Sequence, residues 1–183
     1  AQRRDVPAAV LLVDLDRFKE INDTLGHHTG DLLLKELGVR LAGLVEEGTM
    51  LARLGGDEFG VVTFGNSDDA ARLASRIRKT LDQPFAIRGL ALTVEGSVGI
   101  ALAPRHGEDV DTLIQCADVA MYVAKSSRIG VSVYSRDEDP NDAEQLKLIG
   151  ELRRALEKRE LVVHFQPKVD LRTDEIVGVE ALV

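Results

Sequence analysis

Three carboxylates are placed where they could do chemistry. Asp14 closes the apolar run Ala8–Val13, and Asp57 and Glu58 follow two glycines in the stretch Arg53-Leu54-Gly55-Gly56-Asp57-Glu58-Phe59. If the first run lies beside the second as neighbouring strands, all three acids converge at one edge of a sheet. Carboxylates gathered without a basic partner repel one another unless a divalent cation sits between them. Magnesium takes few carboxylates and completes its octahedron with phosphate oxygens and water. Such a site activates a hydroxyl and stabilises a departing pyrophosphate. An ordinary reading stands beside this one: strand-end Asp also caps helices, and Gly-Gly-Asp-Glu also suits a plain turn.

The elements that must position these acids are legible as an alternation. Ala8–Val13 reads as a buried central strand. The spacing predicts a short helix over Arg17–Leu25 closed by Gly26, then a long helix over Asp31–Glu46 with Leu33, Leu34, Leu37, Leu41, Leu44 and Val45 on one face. Met50–Leu54 and Phe59–Phe64 form a hairpin about the glycines. Ser67-Asp68-Asp69 caps a helix that runs to about Asp82 before Pro84. Phe85–Ile87 and Ala91–Leu102 are strand-like. Asp109–Ser127 is an amphipathic helix with Leu113, Ile114, Ala117, Ala120, Met121 and Ala124 inward, and Val131–Tyr134 is a last short strand. The acidic, proline-bearing stretch at 135–142 marks a boundary. Beyond it the pattern predicts a helix over Ala143–Lys158 and strands over Leu161–Leu171 and Ile176–Val183. The organisation expected is therefore one domain over 1–137, a linker over 138–145, and the start of a second, incomplete domain over 146–183.

Composition narrows the function classes. The 183 residues are 44% hydrophobic but only 4% aromatic, so Leu, Val, Ala and Ile must build the core. A net charge of −8 argues against a binder of nucleic-acid polymers or of membrane surfaces. The lone Cys116 excludes an intrachain disulfide and suits a reducing, cytoplasmic setting. No run approaches transmembrane length. The chain reads as a piece of a longer protein, whose other parts could carry a membrane anchor.

Several motifs together resemble one family. Residues 14–31, DLDRFKEINDTLGHHTGD, with RLGGDEF at 53–59, SVGIA at 97–101 and ADVAMYVAK at 117–125, resemble the GGDEF family of diguanylate cyclases. The tail from Leu161 to Val183, which carries Glu180-Ala181-Leu182, resembles the opening of an EAL domain, the cyclic di-GMP phosphodiesterase family. The resemblance implies an α+β fold, a mainly antiparallel sheet flanked by helices as in nucleotidyl cyclases and polymerase palms, followed by a truncated piece of an EAL barrel. It implies condensation of two GTP, held by the two halves of a homodimer, into cyclic di-GMP and two pyrophosphates, with Mg2+ (or Mn2+). Carried onto this chain, Asp14, the Leu15 carbonyl and Asp57 would ligate metal. Glu58 would assist as ligand or base. Asn22 and Asp31 would read guanine, and His27 would lie near the substrate. Lys19 and Lys125 would neutralise the triphosphate, Gly55 and Gly56 would admit the nucleotide to the backbone, and Glu180 would be an EAL metal ligand.

Each assignment has a structural alternative. Lys19 could be merely solvated, Asn22 could end the short helix, and Asp31 could serve the helix macrodipole. His27 and His28 are adjacent and point apart, so they make no metal pair, and Phe18 suits the core. Two departures from the family pattern bear on function. After Lys125 the family's arginine is displaced by one position, to Arg128, and the family's segment before residue 1 is absent. The Arg-x-x-Asp window that binds inhibitory product in many members reads Glu46-Glu47-Gly48-Thr49, so no inhibitory product site is expected there. The alternative function is a GTP-binding module, weakly active or inactive, that regulates an adjoining phosphodiesterase.

Overall fold

The computed structural model describes residues 7–139, 154–156, 158 and 160–182. The chain divides into two compact units, Ala1–Asp139 and Pro140–Val183. The first contains a five-stranded sheet in the spatial order Met50–Gly55, Glu58–Phe64, Ala8–Leu15, Gly96–Ala103 and Val131–Val133. Its central strand β1 (Ala8–Leu15) pairs antiparallel with β3 (Glu58–Phe64) on one side and with β6 (Gly96–Ala103) on the other. β2 (Met50–Gly55) forms the antiparallel edge beside β3, and β7 (Val131–Val133) runs parallel to β6. The expected mainly antiparallel sheet is present, with one parallel pair.

Apart from Asp14, β1 is apolar because both its faces are covered. Ala9, Leu11, Val13 and Leu15 enter the larger core with Leu33, Leu37 and Leu41 of α2 (His27–Ala42) and Leu73, Ala74, Ile77 and Leu81 of α3 (Ser67–Leu81). Val10 and Leu12 point the other way, into a smaller core with Ala101 of β6 and Leu113, Cys116, Ala117 and Met121 of α4 (Val110–Ser126). Burying each such leucine or isoleucine contributes about 1.5–3 kcal/mol. By the same alternation Asp14, two residues after Leu12, emerges on the α4 side. α4 approaches β6 closely there: a Cβ on Gly99 would overlap the carbonyl oxygen of Ala117 and the amide nitrogen of Met121.

Several boundaries differ from those the sequence predicts. α1 covers Phe18–Leu25, with Arg17 before it in the left-handed region. α2 starts four residues earlier than expected, at His27 directly after Gly26, and ends at Ala42. Gly26 (φ 84°) turns the chain, and its carbonyl accepts from the Thr29 N–H at 3.0 Å, so the helix needs no acidic first turn. Asp31 consequently lies beyond that turn, and the macrodipole no longer accounts for it. Leu44 and Val45 pack on the core from the turn after the helix. α3 is capped by Asn66 rather than by Ser67-Asp68-Asp69. The Asn66 side chain accepts from the N–H groups of Asp68 and Asp69 (2.8 and 3.1 Å), and Asp69 returns the bond to the Asn66 N–H at 2.9 Å.

The single strand expected over Ala91–Leu102 is two. β5 (Leu90–Leu92) pairs with β4 (Phe85–Ile87) in a separate ribbon, and only from Gly96 does the chain join the main sheet. The break falls where the Glu95 carbonyl accepts from the Asp16 N–H at 2.9 Å. On α4, capped by Asp109, Ile114 is 37% exposed instead of buried, because the inward stripe is centred on Leu113, Ala117 and Ala124.

In the second unit, β8 (His164–Val169) and β9 (Ile176–Leu182) form an antiparallel hairpin whose residues are all exposed. The described residues there build no barrel, and most of the helix expected over Ala143–Lys158 lies outside the described residues. No helix among the described residues is long and apolar enough to cross a membrane.

Candidate active site

The glycine turn is a two-residue hairpin loop, Gly56-Asp57, closed by the pairing of Gly55 with Glu58. Gly56 alone needs glycine for its conformation, at φ 51°. Its carbonyl accepts from Arg53 Nε (3.0 Å) and Nη2 (2.7 Å), which fastens the loop. A Cβ on Gly55 would meet nothing within 4 Å, so the fold itself gives no reason for that glycine.

Register places the chemistry. Glu58 of β3 lies directly across from Asp14 of β1, which lies directly across from Ser97 of β6. The three side chains therefore share one row on the α4 face. Asp14 is 9% exposed and ion-paired with the Lys125 ammonium of α4. Ser97, fully buried, donates its hydroxyl to both Asp16 carboxylate oxygens at 3.1 and 3.3 Å. Burial, then the charges of Asp14, Asp118 and Asp57, hold the Glu58 carboxyl above its ordinary value, with Lys125 opposing. Lys125 is itself pushed up despite partial burial, by its bond to Asp14 and by the charges of Asp14, Asp16 and Asp57. Four of the residues singled out in the sequence, Asp14, Asp57, Glu58 and Lys125, thus meet at one end of the sheet.

The other candidates are placed differently. Leu15 has its side chain in the core opposite Gly96, so only its backbone could ligate. Lys19 is exposed on α1 and His27 is exposed at the first position of α2. Asp31 lines an open groove of about 460 Å³ between α2 and the hairpin, with Lys35, Gly38, Leu51, Arg53 and Phe59. Asn22 lies against Gly30 rather than in that groove's lining, and its Oδ1 is buried without a hydrogen-bond partner. Glu180 is on β9, exposed, and paired with Lys168 at 3.2 Å. Arg128 follows α4 in the left-handed region and is exposed.

The window at 46–49 is less repulsive than its sequence. Glu46 pairs with Arg76 of α3 at 3.7 Å, and a cleft of about 260 Å³ there also carries Arg72. Sequence reasoning missed Asp16, Ser97 and Asp118. Asp16 follows Asp14 at the spacing of one strand face. Asp118 precedes Lys125 by seven residues, two turns of the same helix. Both signals were present in the motifs.

A divalent cation fits the chemistry of this end of the sheet. The donors are hard oxygens, and the raised Glu58 carboxyl reflects burial first and then the neighbouring Asp14, Asp118 and Asp57 charges, with Lys125 alone opposing them. Among the described residues, however, no three His, Cys, Asp or Glu side chains are already arranged as a joint ligand set. Asp14 is instead engaged by Lys125.

The family model for the diguanylate cyclase GGDEF domain matches residues 1–146. The chain belongs to the GGDEF family. It is 44% identical, over all of its length and 27% of the relative's, to the bifunctional diguanylate cyclase/cyclic di-GMP phosphodiesterase MucR of Pseudomonas aeruginosa. It is 42% identical, over 95% of its length and 26% of the relative's, to the cyclic di-GMP phosphodiesterase PdeR of Escherichia coli. The chain thus spans about a quarter of the length of these relatives. The structure of an N-terminally deleted mutant of TpbB from Pseudomonas aeruginosa, comprising only the GGDEF domain, superposes with a TM-score of 0.70 at 38% identity, over 73% of this chain and 80% of that one. The GGDEF match stops before β8 and β9.

Proposed function

We propose that this GGDEF domain condenses two GTP into cyclic di-GMP, with Mg2+ (or Mn2+), as one half of a homodimer. The observation that carries the reading is geometric: Glu58 and Asp14 are paired across adjacent strands beside Asp57, with the Lys125 ammonium on Asp14. When bound, the metal would supply Lewis-acid stabilisation of phosphate oxygens. Asp14, Asp57 and the Leu15 carbonyl would hold it. Glu58, whose carboxyl is held high, would accept the proton of the attacking 3′-hydroxyl. Lys125, with Lys19 exposed on α1, would bind the triphosphate, and the bare Gly55 would let it lie against the hairpin. The groove at Asp31 would take guanine, whose N1 and N2 donors suit a carboxylate. Asn22, with its unpartnered oxygen, would turn toward the base, and exposed His27 would flank the substrate.

The β8–β9 hairpin, bearing Glu180, would open an EAL domain of a tandem signalling protein in the cytoplasm. The second reading is a GTP-binding module that regulates such a phosphodiesterase. It is favoured by the displaced Arg128 and by the relative PdeR, which is named as a phosphodiesterase. Incubating the chain with GTP and Mg2+ and separating the nucleotides tests both. Cyclic di-GMP is the expected product, whereas tight GTP binding without conversion would replace the first reading by the second.

A further inference from the structure

Lys125 is needed in two places. In the free protein its ammonium is on Asp14, and in the proposed reaction both Asp14 and Lys125 have other partners. The pair is asymmetric: the Asp14 side chain is 12% exposed and that of Lys125 46%. Asp14 is fixed in a central strand between two paired neighbours, while Lys125 reaches in from the last turn of α4 on a flexible stem. The lysine is therefore the partner that can leave. It cannot leave without replacement, because Asp14 and Glu58 are cross-strand neighbours, and Asp16 is held nearby by Ser97. Like charges directly opposite in a sheet destabilise it.

We infer that Lys125 is an exchangeable countercation: it occupies Asp14 in the free domain and must move from that carboxylate to phosphate before a divalent cation can ligate there. The inference rests on the metal-site reading proposed above. It makes metal and nucleotide bind cooperatively, each clearing the way for the other, and the coupling is reciprocal by linkage. A lysine that served phosphate alone, away from Asp14, would disfavour the metal only through its solvent-screened field, a much smaller effect than direct competition for the carboxylate.

The experiment measures Mn2+ binding to the whole chain by water-proton relaxation, without nucleotide, for the wild type, Lys125→Gln and Lys125→Arg. Removing a competing unit charge from Asp14 should tighten Mn2+ about tenfold or more in Lys125→Gln, and Lys125→Arg should stay near the wild type. A second arm adds guanosine 5′-(α,β-methylene)triphosphate, corrected for Mn2+ held by free nucleotide. The wild type should gain Mn2+ affinity and Lys125→Gln should gain markedly less. Unchanged nucleotide-free affinity in Lys125→Gln, with Mn2+ binding normally beside the analogue, overturns the exchange and leaves the metal reading standing. No Mn2+ binding to any form even with the analogue overturns both. Should Lys125→Gln fail to fold, the wild-type Lys125 side-chain 15N resonance is followed as Mg2+ and the analogue are added. It must shift, and an unmoved resonance refutes the inference.

Discussion

Gly99→Ala tests whether the closeness of α4 to β6 is what delivers Lys125 to Asp14. The added Cβ would overlap backbone, the Ala117 carbonyl oxygen and the Met121 amide nitrogen, and lie 2.8 Å from Met121 Cα. Backbone cannot rotate away as a side-chain tip can, so the helix as a whole must retreat. Overpacking of this kind costs about 1–3 kcal/mol, and a rigid helix contact puts this site at the upper end. In a domain of this size a cost of about 3 kcal/mol lowers Tm by roughly 10 °C. A retreat of α4 also withdraws Lys125, four residues beyond Met121 and one turn further along the helix. Turnover per folded molecule should then fall with stability. Gly55→Ala is the control: its Cβ meets nothing within 4 Å, so stability should change by less than about 0.5 kcal/mol. Urea denaturation supplies the stabilities, and cyclic di-GMP formation, normalised to folded protein, supplies the activities. A Gly99→Ala protein as stable as the wild type would refute the packing argument.

Asp57→Ala should leave the melting temperature nearly unchanged, since the residue sits in the hairpin loop, but should cut cyclic di-GMP formation by about 10²-fold or more. Wild-type turnover would remove Asp57 from the metal set. Asp31→Ala should reduce the preference for GTP over ATP more than it reduces nucleotide binding as such, because a base lacking the donors then loses nothing. Equal loss for both nucleotides, in a competition titration, would deny Asp31 a role in reading the base. Glu58→Gln should raise Tm at neutral pH. A carboxyl whose folded pKa lies above its ordinary 4.5 destabilises the folded state once it is ionised, and the gain must close as pH falls below that value. A gain that persists in acid would show that packing, not charge, is responsible.

The sheet was legible in the sequence where an unbroken apolar run or the glycine pair marks it. β1, with its unbroken apolar run, and the glycine hairpin fall where expected to within one or two residues. What sequence did not disclose was set by contacts between distant segments. The start of α2 depends on the backbone of Gly26, and Asn66 caps α3 through a reciprocal bond with Asp69. The break before β6 depends on where Asp16 reaches Glu95. At the site, the acids and Lys125 stand out by type and spacing. Ser97 becomes meaningful only through its hydrogen bond to Asp16, 81 positions away. Asn22 was singled out in sequence, but its packing against Gly30 was not visible there.

The row Glu58–Asp14–Ser97 joins three strands drawn from distant parts of the chain, so the site is a statement about registry. Slipping β3 by one residue would carry Glu58 to the α2 face and bring Phe59 opposite Asp14, an aromatic ring where a charge is wanted. Deleting or inserting a single residue in β3 would therefore erase the constellation while every acid remained in the sequence. During folding the same logic sets an order. Local helices can form early, but the acids meet only after the long-range pairings of β1 have closed. No partly folded form of this domain, held on a ribosome or opened by heat, can present the assembled cluster.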